Sequence, residues 1–123
     1  MTMIFRVAIV GGRDFTDMTK LTACCDHMLS NKVNLGYRIV IINGTAKGAD
    51  ELGGRYADLR GYTQEKFVPE WDKLGKRAGM VRNTDMAHRA DAVIAFWDGT
   101  SKGTRNMIQT CQRLGKPIQV YKY

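Results

Sequence analysis

Short apolar runs alternate with segments of helical periodicity along the chain, and this alternation restricts the fold more than any other feature. Residues 4–10 form a nearly unbroken apolar run, which is typical of a parallel strand covered on both faces. Further strands are predicted at 38–42, 62–68, 92–97 and 117–121, with helices near 17–31, 49–60, 79–89 and 104–114. This order predicts an α/β fold, a single Rossmann-like three-layer domain over residues 1–123 with a mainly parallel five-stranded sheet.

The charge of the chain favours an anionic partner. There are 19 Lys and Arg residues against 12 Asp and Glu, which gives a net charge of +7. A nucleotide, a nucleic acid or an acidic surface would suit this balance. The first apolar run ends at Val10, too early for a secretory core or a membrane span. The sequence therefore predicts a cytoplasmic protein with no membrane partner.

Glycines and basic residues concentrate where the predicted strands end. Eight of the 13 glycines and eight of the 19 Lys and Arg residues fall within segments 11–15, 43–50, 71–83 and 98–105. Ligands of open α/β sheets bind beyond the carboxyl ends of the strands. Glycine lets the backbone approach a phosphate, and helix N-termini and cations bind it. This pattern predicts an anionic small-molecule pocket. The alternative is that turn glycines lie beside ordinary surface charges.

The predicted ligand-binding residues come from all four segments. They are Gly11, Gly12, Arg13, Asn43, Gly44, Thr45, Lys47, Gly48, Asp50, Lys76, Arg77, Arg82, Asn83, Asp98, Gly99, Ser101, Lys102, Gly103 and Thr104. The last segment most resembles a phosphate loop, because it is small, rich in hydroxyl groups and opens a helix. Lys76 and Arg77, between two glycines, are predicted to form a lid. Trp71 either stacks on a base or packs, and packing is favoured for Trp97.

Two features of a dinucleotide-binding motif are absent from the sequence. The Gly11-Gly12 pair lacks the third glycine of a dinucleotide fingerprint, and Asn43 stands where an NAD enzyme usually has an acid. These departures argue against hydride transfer. No carboxylate cluster indicates a dedicated metal site. We therefore predict no resident cofactor or metal, and expect Mg²⁺ only in company with a polyphosphate ligand.

Four ordered motifs resemble one known family. They are Gly-Gly-Arg-Asp-Phe (11–15), Asn-Gly-Thr-Ala-Lys-Gly-Ala-Asp (43–50), Gly-Lys-Arg-Ala-Gly-Met (75–80) and Ala-Asp-Ala-Val-Ile-Ala-Phe-Trp-Asp-Gly (90–99). Together they resemble the YspA-like, cpYpsA-related branch of the SLOG superfamily over residues 5–121. The resemblance implies a Rossmann-like fold that recognises nucleotide-derived ligands, such as ADP-ribose-like molecules. It also implies a homodimer or higher oligomer, and nucleotide signalling in bacterial or phage conflict systems.

The SLOG superfamily also includes the LOG phosphoribohydrolases and the DNA-uptake protein DprA. Arg82 matches the helix arginine of the LOG motif, but the LOG catalytic glutamate falls on Met107. A thioether cannot transfer a proton, so the resemblance favours binding, by a sensor or sequestering protein. One alternative is a hydrolase of N-glycosidic or phosphoester bonds, with Asp14, Asp50 and Asp98 as candidate carboxylates. Another is single-stranded nucleic-acid binding in the manner of DprA.

Overall fold

The computed structural model describes residues 2–123, and within that range five parallel strands form one sheet in the order β3-β2-β1-β4-β5. The strands are β1 (Ile4–Gly11), β2 (Arg38–Asn43), β3 (Thr63–Lys66), β4 (Ala92–Trp97) and β5 (Ile118–Lys122). The helices are α1 (Met18–Asn34), α2 (Ala49–Arg60), α3 (Trp71–Leu74), α4 (Ala78–Arg89) and α5 (Lys102–Leu114). A 3-10 helix, Gly75–Arg77, joins α3 to α4. The predicted α/β fold is confirmed, and the sheet is parallel throughout.

Both faces of the sheet are covered at β1, which explains its nearly unbroken apolar run. Val7 and Ile9 belong to the core that contains the apolar faces of α1 and α2. Ala8 and Val10 belong to a second core, formed with α4 and α5. Because successive side chains of a strand point to opposite faces, a strand between two helical layers needs an apolar residue at every position.

The structure departs from the sequence prediction between residues 62 and 79. β3 spans four residues instead of 62–68, because it is an edge strand whose pairing with β2 ends at Asn43, opposite Lys66. The short helix α3 was not predicted, since four residues make a single turn and carry no 3.6-residue periodicity. α4 begins at Ala78, one residue before the predicted start.

A crevice opens where β1 and β4 lie side by side. The chain leaves β1 for α1 on one face of the sheet and leaves β4 for α5 on the other, so their carboxyl ends form a topological switch point. At its base, Gly12 N–H donates to Phe96 O at 3.0 Å, and Gly12 O accepts from Ala49 N–H at 3.1 Å. We call this contact the backbone junction. A Cβ atom on Gly11 would overlap Phe96 O, and one on Gly48 would overlap Gly12 O.

Gly48→Ala is expected to destabilise the protein more than Gly36→Ala. Gly48 has φ +80° and Gly36 has φ +83°, so both replacements strain the backbone, by about 1–2 kcal/mol. An added Cβ would meet the backbone of Gly12 and Arg13 at position 48 but nothing within 4 Å at position 36. The overlap adds roughly 1–3 kcal/mol. Urea unfolding measures the difference, and equal free energies of unfolding would contradict the required close approach.

Candidate functional site

A cavity of about 670 Å³ lies at the carboxyl ends of the strands, at the switch point. Basic side chains in its lining are Arg13, Lys47, Lys76, Arg82 and Lys102. Its apolar lining consists of Val10, Val68, Pro69, Trp71, Met80 and Met107 with the Ala46 methyl group. Small-molecule sites typically enclose roughly 300–1,000 Å³. The cavity therefore has the size and the mixed lining of a site for a small anionic ligand that also carries an apolar part.

The structure brings most of the predicted binding residues to this cavity. Those in its lining are Gly11, Arg13, Thr45, Lys47, Asp50, Lys76, Arg82, Asn83, Ser101, Lys102, Gly103 and Thr104. Those outside the lining are Gly12, Asn43, Gly44, Gly48, Arg77, Asp98 and Gly99. Several of the second group hold the loops in place, as Gly12 and Gly48 do at the backbone junction.

Two candidate catalytic carboxylates, Asp14 and Asp98, make hydrogen bonds outside the cavity. Asp98 Oδ1 accepts the N–H groups of Ser101 and Thr100 at 2.7 and 2.8 Å. These two bonds hold the pKa of Asp98 below its usual range. Asp14 Oδ1 accepts a hydrogen bond from the hydroxyl group of Tyr123. In this arrangement the two carboxylates shape loops, and neither lines the cavity.

The backbone at Thr45 is strained. Its φ is +65°, and within residues 2–123 it is the one residue other than glycine with a positive φ. Such a conformation costs a β-branched residue about 1–3 kcal/mol. Asn43 holds it in place, because Asn43 Oδ1 accepts Thr45 N–H at 2.8 Å while Asn43 Nδ2 donates to Gln64 Oε1 at 3.1 Å. The loop before α2 is therefore preshaped at the cavity.

Asp50 is the carboxylate among the described residues that line the cavity. It is 5% exposed, and its Oδ2 accepts the N–H of Ala46 at 3.2 Å. Burial raises the pKa of Asp50 to about 6, against the opposing effects of Arg82, the Ala46 N–H and Arg13. A carboxyl group with this pKa exchanges its proton close to neutral pH, which suits a general acid or base.

Arg82 supplies a half-buried positive charge beside Asp50. Its Nη1 donates to Gly44 O, and its Nε donates to Asn83 Oδ1 at 3.1 Å. Burial lowers the pKa of Arg82, and the nearby Asp50 charge acts in the opposite direction. No carboxylate of residues 2–123 lies within 4.0 Å of the guanidinium group. The charge of Arg82 thus has no direct counter-ion and is suited to an anionic ligand.

Gly44 allows the two charged groups to come this close. A Cβ atom at this position would lie 2.6 Å from Asp50 Oδ2, 3.0 Å from Arg82 Nη1 and 3.1 Å from Met86 Sδ. The first distance is shorter than real Cβ contacts, and the other two are tighter than most of them. Gly44 therefore acts through Asp50 and Arg82 instead of lining the cavity itself.

The first turn of α5 reaches the cavity without a side-chain cap. Ser101, its N-cap, makes no capping bond with its side chain, and the first turn holds no acid. Asn83 Nδ2 donates to Gly103 O at 3.3 Å and to Asn106 Oδ1 at 3.0 Å, which ties α4 to this turn. The N-terminus of α1, by contrast, is capped by Asp17, whose carboxylate accepts Lys20 N–H at 2.9 Å. Uncapped N–H groups and the positive end of the helix dipole favour anions at α5.

Sequence reasoning missed the apolar side of the cavity. Val68, Trp71 and Met80 are 68%, 51% and 56% exposed, and all three line the cavity. A single apolar residue in a loop or on a solvent-facing helix turn carries no periodic signal. Trp71, left open between stacking and packing, was the available clue. Trp97 lies outside the lining, with the Arg105 and Lys122 cations 5.7 and 5.4 Å from its ring.

Within residues 2–123 no group of three or more His, Cys, Asp and Glu side chains is placed to hold a metal ion. None of the helices in this range combines the length and the apolar character needed to cross a bilayer.

Replacing Asp50 by asparagine is expected to change how stability depends on pH. The pKa of Asp50 is about 6 in the folded protein against an ordinary value of 3.8, so folding favours the protonated form. The stability of the wild type relative to Asp50→Asn should be greatest below pH 3.8 and fall as the pH rises through 6. At about 1.4 kcal/mol per pKa unit, the loss amounts to roughly 3 kcal/mol. Urea unfolding of both proteins across this pH range measures the loss. If the free energies of unfolding of the two proteins differ by the same amount at every pH, the raised pKa of Asp50 is contradicted.

Comparison with known proteins identifies the class. Residues 5–74 match the model of YAcAr, the YspA, cpYpsA-related SLOG family. The chain is also 36% identical over 121 residues to Gene 61 protein of Mycobacterium phage D29, covering 92% of this chain and 93% of that protein. The chain therefore belongs to the YspA, cpYpsA-related SLOG family. The family resemblance predicted from the sequence is confirmed, and the range matched by the family model contains Arg13, Lys47 and Asp50.

Two solved structures share the fold. The X-ray structure of TM1055 aligns with a TM-score of 0.66 at 21% identity, covering 94% of this chain and 72% of that one. The X-ray structure of DNA processing protein A (DprA) from Streptococcus pneumoniae aligns with a TM-score of 0.72 at 19% identity, covering 95% of this chain and 50% of that one. At these identities the likeness establishes the fold alone.

Proposed function

We propose that this protein binds a nucleotide or a nucleotide-derived molecule, such as an ADP-ribose-like ligand, in the cavity and acts as a sensor or sequestering protein. One observation carries the proposal: the half-buried guanidinium of Arg82 and the uncapped first turn of α5 line the same cavity. Two independent sources of positive potential thus reach one enclosed space at the switch point of the sheet, where ligands of such folds bind.

The phosphate groups of the ligand fit the basic part of the lining. Arg82 is screened from water by burial, so an anion next to it interacts more strongly than at the surface. Lys47 precedes α2 and Lys102 begins α5, and both side chains are exposed. These two flexible cations suit the outer oxygens of a phosphate or diphosphate. Any Mg²⁺ would be bound through the ligand.

The ribose fits beside Asp50. Among residues 2–123, the one hydrogen bond that its carboxylate accepts comes from Ala46 N–H. The remaining lone pairs are available to sugar hydroxyl groups. A cavity of about 670 Å³ holds the base, ribose and phosphate of a nucleotide together.

Arg82→Ala is expected to weaken nucleotide binding about 10- to 100-fold, because hydrogen bonds to a charged group contribute about 1.5–3 kcal/mol. Isothermal titration against AMP, cyclic nucleotides, NAD and ADP-ribose measures the affinity. Arg113→Ala is the matched control, since this exposed arginine of α5 lies outside the cavity lining and its loss changes the net charge equally.

Lys102→Ala is a second test, because Arg82→Ala also removes the bond to Gly44 O in the loop between β2 and α2. Lys102 is exposed and donates no side-chain hydrogen bond within residues 2–123, so its loss should weaken binding without unfolding the protein. If the wild type binds no nucleotide of the panel, the proposed function is refuted.

The second candidate function is hydrolysis of an N-glycosidic or phosphoester bond in such a ligand. Asp50, buried in the cavity lining with a pKa of about 6, favours it. Met107, at the LOG glutamate position, is 1% exposed and offers no carboxylate. Asp50 would then have to supply the acid or base.

Asp50→Asn is expected to lower any hydrolysis by about 10²- to 10⁴-fold, the usual contribution of a general acid or base. Chromatography of released base and ribose phosphate follows the reaction, whose rate should change near pH 6. Asp98→Asn is the control, because an amide oxygen can still accept the N–H bonds of Ser101 and Thr100. Equal losses of hydrolysis rate in both variants would contradict a catalytic role for Asp50. Binding of the ligand without hydrolysis would favour the sensor or sequestering protein.

The nucleic-acid alternative has two observations in its favour, the fold shared with a DNA processing protein and the net charge of +7. It predicts tight binding of single-stranded DNA with a steep dependence on salt. In that case Arg113→Ala would weaken binding as much as Lys102→Ala, because diffuse charge would drive the interaction.

A further inference from the structure

The apolar part of the cavity lining is exposed at its rim. Trp71 is 51% exposed, and Val68 and Met80 beside the same cavity are 68% and 56% exposed. A large aromatic surface left in water is unfavourable unless a partner covers it. Since these residues line the same cavity as Arg82 and Lys102, a ligand held there by its phosphate can cover them with its other end.

The segment that carries Trp71 contributes no residue to the two buried cores. Neither α3 nor the 3-10 helix after it contains a buried residue. A second cavity of about 240 Å³ is lined by residues 66–70 and by α4, and shares Val68, Pro69 and Arg82 with the first. Gly75 has φ +59° in open space, where the chain turns from α3 into the 3-10 helix. Trp71 therefore lies beside the cavity without being part of a packed core.

The indole of Trp71 is braced on one side. A Cβ atom on Gly79 would lie 3.5 Å from Trp71 Cη2, so the end of the ring rests close to the first turn of α4. Two side-chain torsions are all that a tryptophan must order, and this brace restricts them further. A braced but half-exposed aromatic ring is well suited to stack on another planar ring.

We infer that Trp71 stacks on the base of the ligand, and that the site therefore selects nucleotides over sugar phosphates that lack a base. This inference rests on the proposed function and deepens it. Arg82, Lys102 and the α5 terminus hold the phosphate, which both kinds of molecule carry. Trp71 contacts the part that only nucleotides have, with Met80 and Val68 flanking it. Stacking tolerates different bases, since each has a π face.

The test compares AMP and ADP-ribose with ribose 5-phosphate by isothermal titration. Trp71→Ala should weaken binding of the nucleotides about 5- to 100-fold, the usual range for loss of one stacked base. It should leave the affinity for ribose 5-phosphate unchanged, and Trp71→Phe should retain most of the nucleotide affinity. Leu35→Ala, which truncates a 66% exposed apolar residue outside the cavity lining, is the control.

Fluorescence gives a second readout. Nucleotide should quench the wild-type tryptophan emission and not that of Trp71→Phe, which keeps Trp97. If a nucleotide binds and Trp71→Ala leaves its affinity unchanged, or weakens ribose 5-phosphate equally, the stacking role is refuted while the proposed function stands. If the wild type binds no member of the nucleotide panel, the proposed function and the stacking role are both refuted.

Discussion

The site depends first on the backbone junction between the end of β1, the end of β4 and the start of α2. Gly12 donates to Phe96 O and accepts from Ala49 N–H, and Gly48 lies against the Gly12 carbonyl. Side chains at these glycines would push the three elements apart. With the junction closed, β1 and β4 end side by side and the helices that follow them diverge to opposite faces. The cavity is the space that this divergence leaves.

The junction brings together groups that are costly to hold there. Asp50 is almost fully buried, Arg82 is half buried without a direct carboxylate partner, and Thr45 has a positive φ. The N-terminus of α5 adds positive potential with no capping side chain. Unfavourable local features that gather at one cavity are typical of functional sites. A phosphate would neutralise the charge of Arg82 and accept the free N–H groups.

The predictions succeeded where a residue's role is local in the chain. All five strands were predicted, with apolar runs marking β1, β2 and β4, and Gly61 and Gly115 end α2 and α5 in left-handed conformations as glycine allows. Glycine and lysine beside strand ends indicated the cavity lining. The same local reasoning did not separate Asp50 from Asp14 and Asp98. Their sequence settings are similar, and burial, which sets Asp50 apart, is a property of the packed structure, in which Arg82 of α4 lies beside Asp50 and donates to Gly44 O.

The five strands, the four long helices, the α/β class of the sheet and the chain segments around the site can be recognised in the sequence, because periodicity and turn chemistry are properties of neighbouring residues. Which side chains share the cavity is visible only in the folded protein. In the structure Asp14 and Asp98 make hydrogen bonds to other groups outside the cavity, and Asp50 is buried. The exposed Trp71 of α3 lines the same cavity as the first turn of α5. Burial and proximity between distant segments arise only when the layers pack, so no local pattern encodes them.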